Sequence, residues 1–121
     1  MRAWRLRTLM ALVAGIALAC GAAVELTNRR RRDAAAFLES LYEKQAADHD
    51  REAATCRDAI RRGLPPDPTR RLPTINGGSI GAGPWEFEVR HHEQGAEIYR
   101  LEARRAGRER QFYQDRLLIP F

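Results

Sequence analysis

The feature that most constrains this chain is an uncharged run of 16 residues, Leu9 to Val24, reading LMALVAGIALACGAAV. Three arginines precede it (Arg2, Arg5, Arg7) and four follow after a short spacer (Arg29, Arg30, Arg31, Arg32). A helix that spans a bilayer needs roughly 20 apolar residues to cross a hydrocarbon core of ~30 Å. Leu6 and Leu26 extend the run towards that length, with Arg5 and Arg7 snorkelling outward. The strong members are Leu9, Leu12, Val13, Ile16, Leu18 and Val24. At about −0.3 to −0.6 kcal/mol each they give roughly −2 to −4 kcal/mol of insertion free energy, a narrow margin. Residues 1–26 are therefore expected to be a membrane anchor.

Two other readings stay open. A basic start, an apolar stretch and small residues such as Ala17-Leu18-Ala19 also describe a cleaved secretory signal. The tetra-arginine block close behind the run opposes its translocation. Ala17-Leu18-Ala19-Cys20-Gly21 is similar to a bacterial lipobox, which makes Cys20 the candidate lipidation residue. With three arginines plus the amino group on one side and four arginines on the other, the positive-inside rule does not separate the two orientations. A short leading tail and a long following domain favour the domain outside the cytoplasm.

Charge supports this division. The 121 residues carry a net +5, but residues 1–32 hold seven arginines and one acid, whereas residues 33–121 hold 14 basic and 15 acidic residues. The basic character belongs to the flanks of the apolar run. A nucleic-acid-binding domain carries its own basic surface, and this near-neutral one argues against nucleic acid as a partner. Of the 21 basic residues all but Lys44 are arginine, a bias that suggests a GC-rich bacterial genome. Two cysteines, Cys20 and Cys56, make neither a disulfide framework nor a zinc motif.

From Asp33 to about Arg62 the chain lacks Gly and Pro and is rich in Ala, Leu, Glu and Arg, which predicts helix. Phe37, Leu38, Leu41 and Tyr42 form an apolar stripe at helical spacing, continued by Ala46, Ala53, Cys56 and Ile60. The polar stretch over 45–52 is expected to face solvent. Gly63 is a helix-ending signal and Pro65-Pro66 a stop. Without a break at Thr27-Asn28, residues 5–62 would make one rod of roughly 85 Å. Residues 64–84, with five Pro and four Gly, read as an irregular connector. Over residues 85–121, Trp85, Phe87 and Val89 alternate with charged residues, and Tyr99, Leu101 and Ala103 alternate again. A third apolar stretch ends in Leu117, Leu118, Ile119, Pro120 and Phe121. This predicts a three-stranded antiparallel meander. The expected class is thus α+β: a long helix, transmembrane then amphipathic, covering a small sheet. Its core would hold Phe37, Leu38, Leu41, Tyr42, Cys56, Ile60, Trp85, Phe87, Val89, Tyr99, Leu101, Leu117 and Ile119.

Chemistry is thin. His49 lies in Asp48-His49-Asp50 and reads as part of a polar helix face. His91 and His92, adjacent in a strand, would point to opposite faces and not share an ion. The glycines over 77–83 lack the following helix and lysine of a phosphate loop. Cys56 reads as a packed thiol, and Arg104, Arg105, Arg108 and Arg110 as a solvated turn. No catalytic, cofactor-binding or metal-ligating residue is assigned, and an enzyme is not expected.

An apolar N-terminal helix with an amphipathic continuation, a Gly/Pro-rich crossover and a small meander resembles type IV pilin-like proteins and type II secretion pseudopilins at the level of architecture. The prepilin peptidase motif is not present. The resemblance implies a part in pilus or secretion assembly. The expectation is a non-enzymatic structural or assembly component of a bacterial envelope complex. It would be single-pass in the inner membrane with its domain in the periplasm, and its partners would be the membrane and other envelope proteins. The alternative is a small periplasmic lipoprotein or a secreted binding or inhibitor module. Ala14, Gly15, Ala17 and Gly21 are a candidate helix-packing face, since small residues let helix backbones approach closely in lipid.

Overall fold

In a computed structural model, residues 2–74 and 76–119 are described, Arg2 by its backbone alone. Helix α1 runs from Arg2 to Arg61 without interruption at Thr27-Asn28, where the Thr27 hydroxyl donates to Ala23 O within the helix. It ends where expected. Gly63 takes a positive φ of 68°, its N–H donates to Ile60 O, and the Leu64 N–H reaches back to Ala59 O. This pair of bonds satisfies two of the helix's last carbonyls and requires a residue without a Cβ penalty at position 63.

The connector is more ordered than its composition suggests. β1 (Arg71–Pro73) and β2 (Ser79–Gly81) pair antiparallel, Leu72 opposite Ile80. Gly77, at φ 81°, turns the chain between them. The strands are short, and Pro73 sits at the end of one, where a missing donor costs least.

The expected meander over residues 85–121 does not form. Trp85–Gln114 is a single helix, α2. The mostly helical chain has one two-stranded sheet among its described residues and no third strand. The alternation of Trp85, Phe87 and Val89 is local. Over the longer window Trp85, Val89, His92, Ala96, Tyr99, Ala103 and Ala106 recur at three- and four-residue spacing, a helical period. Gly95 and Gly107, residues that could have marked turns between strands, lie inside the helix. Pro120 and Phe121, read as the end of a third strand, lie outside the described residues.

The chain forms two compact units. In the unit Leu38–Arg105, the second part of α1 packs antiparallel on the first part of α2. Partners for Tyr42, His49 and Cys56 are Tyr99, His92 and Glu88 in turn. On α1 the series repeats every seven residues; on α2 it steps by seven and then four, both of which return to one face of a helix and keep the seam facing its partner. Between these layers the seam is lined by Ala46, Ala53, Ala96 and Ala103, all buried, so the backbones approach closely. Ion pairs Arg57–Glu93 and Arg100–Asp50 flank it.

In the unit Met1–Phe37 with Ala106–Phe121, α1 is exposed along its apolar part. Ala35, Ala106 and Leu117 are buried. Arg31 donates to the Tyr113 hydroxyl, Arg32 to Gln114, and the Glu25 carboxylate accepts the Leu118 N–H at 2.9 Å.

The expected helix–sheet core is accordingly revised. With no sheet to cover, Phe37, Leu38, Leu41, Ile60, Phe87, Leu101 and Ile119 are exposed, Phe37 at 68%. Tyr42, Trp85, Val89 and Tyr99 are half-buried, and Cys56 and Leu117 are buried. The seam selects small side chains, and the large apolar ones fall beside it.

Candidate functional site

The buried polar residues of the chain gather in one place, between α1, α2 and β1 in the unit Leu38–Arg105. Glu88 is 1% exposed and Cys56 fully buried, and the Cys56 thiol donates to Glu88 Oε2 at 3.5 Å. Burial, followed by the adjacent Glu88 carboxylate, pushes the thiol up to about 11. A thiol held protonated is a poor nucleophile, so Cys56 serves here as a donor. Arg70, on the connector just before β1, supplies the counter-charge. Its Nε lies 3.0 Å from Glu88 Oε1, a charge contact off the line of a hydrogen bond, which leaves that oxygen without an aligned donor. The same guanidinium stacks on the Trp85 ring and reaches Glu52.

One layer along the seam, His49 Nδ1 and His92 Nδ1 are 2.9 Å apart. Two ring nitrogens at that distance need one proton between them, so one imidazole donates and the other accepts. Whichever tautomer His92 adopts, its buried Nε2 has no partner among the described residues. Burial is the first cause that holds His92 below the ordinary imidazole range, with His49 and His91 adding to it. His49 is lowered by burial and then by His91, against the opposing pull of Asp48, Asp50 and Glu52. His91 completes the group, its Nε2 at 3.1 Å from Pro73 O. That carbonyl accepts only, so Nε2 is the donor.

Aromatic rings fix the pair from the side. His49 stacks on Tyr99 with centroids 5.4 Å apart, and Tyr99 stacks on Tyr42 at 6.1 Å. Gly95 faces the His49 ring so closely that a Cβ there would lie 3.0 Å from Cε1. Two small cavities open beside the pair. One of about 140 Å³ is lined by His49, His91, Gly95 and Tyr99, and one of about 300 Å³ by Glu52, Arg70, Leu72 and His92 among others.

Chemically, the arrangement holds neutral imidazoles in contact and can respond to protons. Among the described residues no set of three or more His, Cys, Asp or Glu side chains is placed to hold a metal ion.

The sequence expectations for these residues need correction. His49 is a half-buried seam residue rather than part of a solvated face, because the polar stretch over 45–52 is where α2 packs. His91 and His92 are neighbours on a helix, about 100° apart around its axis, so both rings lie near His49. Arg104, Arg105, Arg108 and Arg110 lie on α2 and not at a hairpin turn. The glycine-rich stretch over 77–83 forms the turn and second strand of the β-hairpin. Glu88, Arg70 and Gly95 were not singled out by sequence. The seven-residue spacings of Tyr42, His49 and Cys56 and of Trp85, His92 and Tyr99 could have found the helix pair that carries Glu88 and Gly95, but no spacing points to Arg70 on the connector.

The anchor residues Leu9, Leu12, Val13, Ile16, Leu18 and Val24 are all exposed on α1, as is Cys20. The small residues divide. Ala14, Ala17 and Gly21 line one groove with Leu118 and Ile119, whereas Gly15 lies in another with Leu12 and Ile16. Comparison with protein-family models, curated proteins and solved structures finds no match.

Proposed function

We propose that this chain is a non-enzymatic, single-pass membrane component of a bacterial envelope assembly, its helical hairpin held outside the cytoplasm. One observation carries the reading. α1 contains an 18-residue window with a mean hydropathy of 2.2, and none of that window is buried by the rest of the chain. In water, so long an exposed apolar surface is unfavourable at about 25 cal/mol per Å². In lipid it costs nothing, and a helix satisfies its own backbone there. The pilin-like layout is not carried forward, because its meander is replaced by α2.

An assembly role is supported by the small residues of the span. A Cβ at Gly15 or Gly21 would meet nothing within 4 Å inside this chain. The double variant Gly15→Leu/Gly21→Leu is therefore expected to leave α1 helical while blocking close approach of a neighbouring helix. The test is the size of the detergent-extracted native protein by light scattering. The expected result is a complex larger than the 13.8 kDa chain that shrinks in the double variant. A monomer in both cases, or a complex unchanged by the substitutions, would sink the assembly reading. A topology reporter fused after Phe121 tests the placement of the domain.

A further inference from the structure

Leu118 and Ile119 are apolar and exposed, and their position on α1 is specific. The Leu118 N–H is held by Glu25 Oε2 at 2.9 Å, and the Arg29 guanidinium reaches Ile119 O at 3.4 Å. Glu25 is itself paired with Arg29 one turn on, at 3.2 Å. These bonds pin residues 118 and 119 beside the last turn of the apolar stretch, where Leu118 and Ile119 share a groove with Leu18, Gly21, Ala22 and Leu26. There the two side chains remain 79% and 49% exposed. An exposed Leu-Ile pair clamped next to a spanning helix lacks a reason in water.

The surroundings say what covers it. Trp4, 74% exposed, and Leu26 are 22 residues apart, about 33 Å along a helix, which matches a hydrocarbon core of ~30 Å. Trp4 then sits at one interface, where tryptophan is enriched, and Leu26 at the other. Immediately beyond Leu26 come Arg29, Arg30, Arg31 and Arg32, and alongside them Arg116, whose guanidinium stacks on the exposed Phe112 ring at 3.3 Å. From residue 25 to 37 and from 106 to 119 there are seven arginines against Glu25, Asp33, Glu109 and Asp115. A cationic belt directly above apolar side chains matches the order of a leaflet, phosphate above acyl chain.

We infer that Leu118 and Ile119 form a second membrane contact, a foot clamped to α1 by Glu25 and inserted at the headgroup–acyl boundary of the leaflet, with the arginine belt on lipid phosphates. This rests on α1 spanning the bilayer. The foot adds apolar surface to a marginal anchor and places the end of α2 at the membrane surface.

The test uses the full chain in vesicles of phosphatidylcholine with one quarter phosphatidylglycerol. Cys20→Ser removes the exposed thiol; Cys56 is buried and protonated, and so escapes labelling at neutral pH. A nitroxide is attached at Leu118→Cys, and in separate samples at Ile16→Cys and Glu109→Cys. Its collision rates with oxygen and with a water-soluble nickel chelate are compared. The expected result is that position 118 favours oxygen several-fold over nickel, as position 16 does, while position 109 favours nickel. Adding Glu25→Ala should then move 118 towards the nickel-accessible value. If 16 lies in lipid and 118 is as nickel-accessible as 109, the foot is overturned and the span stands. If 16 is nickel-accessible too, the span falls and the foot with it.

Discussion

At the scale of single residues, the most demanding constraint is the contact between His49 and His92. Both imidazoles are held below their ordinary range, burial being the first cause for each. A group with a depressed folded pKa is neutral in the folded chain while the unfolded chain still takes up protons near pH 6.5. The unfolded state then binds more protons, so the stabilisation is complete above pH 6.5 and is lost as pH falls from there through the folded values. The urea midpoint, followed by far-ultraviolet circular dichroism, is expected to be lower at pH 5 than at pH 8. In His92→Phe the difference should shrink, since one of the two imidazoles of the pair is gone. An equal slope in wild type and variant would rule out the pair as its source. Gly95 is the companion constraint. Replacing glycine by alanine inside a helix ordinarily gains about 1 kcal/mol. Here the new methyl meets His49, whose ring can give way only by disturbing its stack on Tyr99 and its bond to His92. Overpacking of about 1–3 kcal/mol is expected to outweigh the gain, so Gly95→Ala should lower the midpoint. A rise would mean that the His49 ring swings free.

At the scale of elements, the long first helix was legible and the second was not. α1 could be read because its composition, its lack of Gly and Pro, and the Gly63 stop all agree. α2 was misread because Trp85, Phe87 and Val89 alternate over a window too short to separate a period of two from one of 3.6, and because Gly95 looks like a turn. The glycine is there for the helix–helix approach, which only the partner helix reveals. The candidate site stayed hidden for the same reason. Glu88, Arg70 and His92 come together from three elements, and no local spacing joins them. Their coupling gives an element-level prediction. Breaking a buried ion pair by removing one partner costs about 3–5 kcal/mol. Because Arg70 keeps about a third of its side-chain surface in water, Arg70→Ala is expected at or below the lower end of that range. Glu88→Gln keeps an acceptor for Cys56 and removes the buried charge, so it should cost less. Urea denaturation of the two variants orders them, and the reverse order would show that Arg70 does not neutralise Glu88.

At the scale of the molecule, the question is how securely the chain is held. The six strong apolar residues of the span contribute roughly −2 to −4 kcal/mol, while a single arginine at the centre of a spanning helix costs about +2.5 to +3.5 kcal/mol. One central substitution is thus of the same size as the whole driving force, which is not so for a span rich in leucine. Ile16 lies near the middle of the run and is exposed on α1, so Ile16→Arg removes one favourable term and adds the penalty without disturbing any packing within the chain. The fraction of protein resisting alkaline extraction from membranes is expected to fall steeply in Ile16→Arg. Glu39→Arg, outside the apolar run, should leave it unchanged. Retention of Ile16→Arg at the wild-type level would mean that something besides the span holds the chain. The intact mass then distinguishes the causes: added lipid at Cys20 identifies a lipid anchor, and an unmodified full-length mass points to partner helices. That second outcome would strengthen the assembly reading, because a marginal span kept in place despite a central charge needs neighbours to bury it.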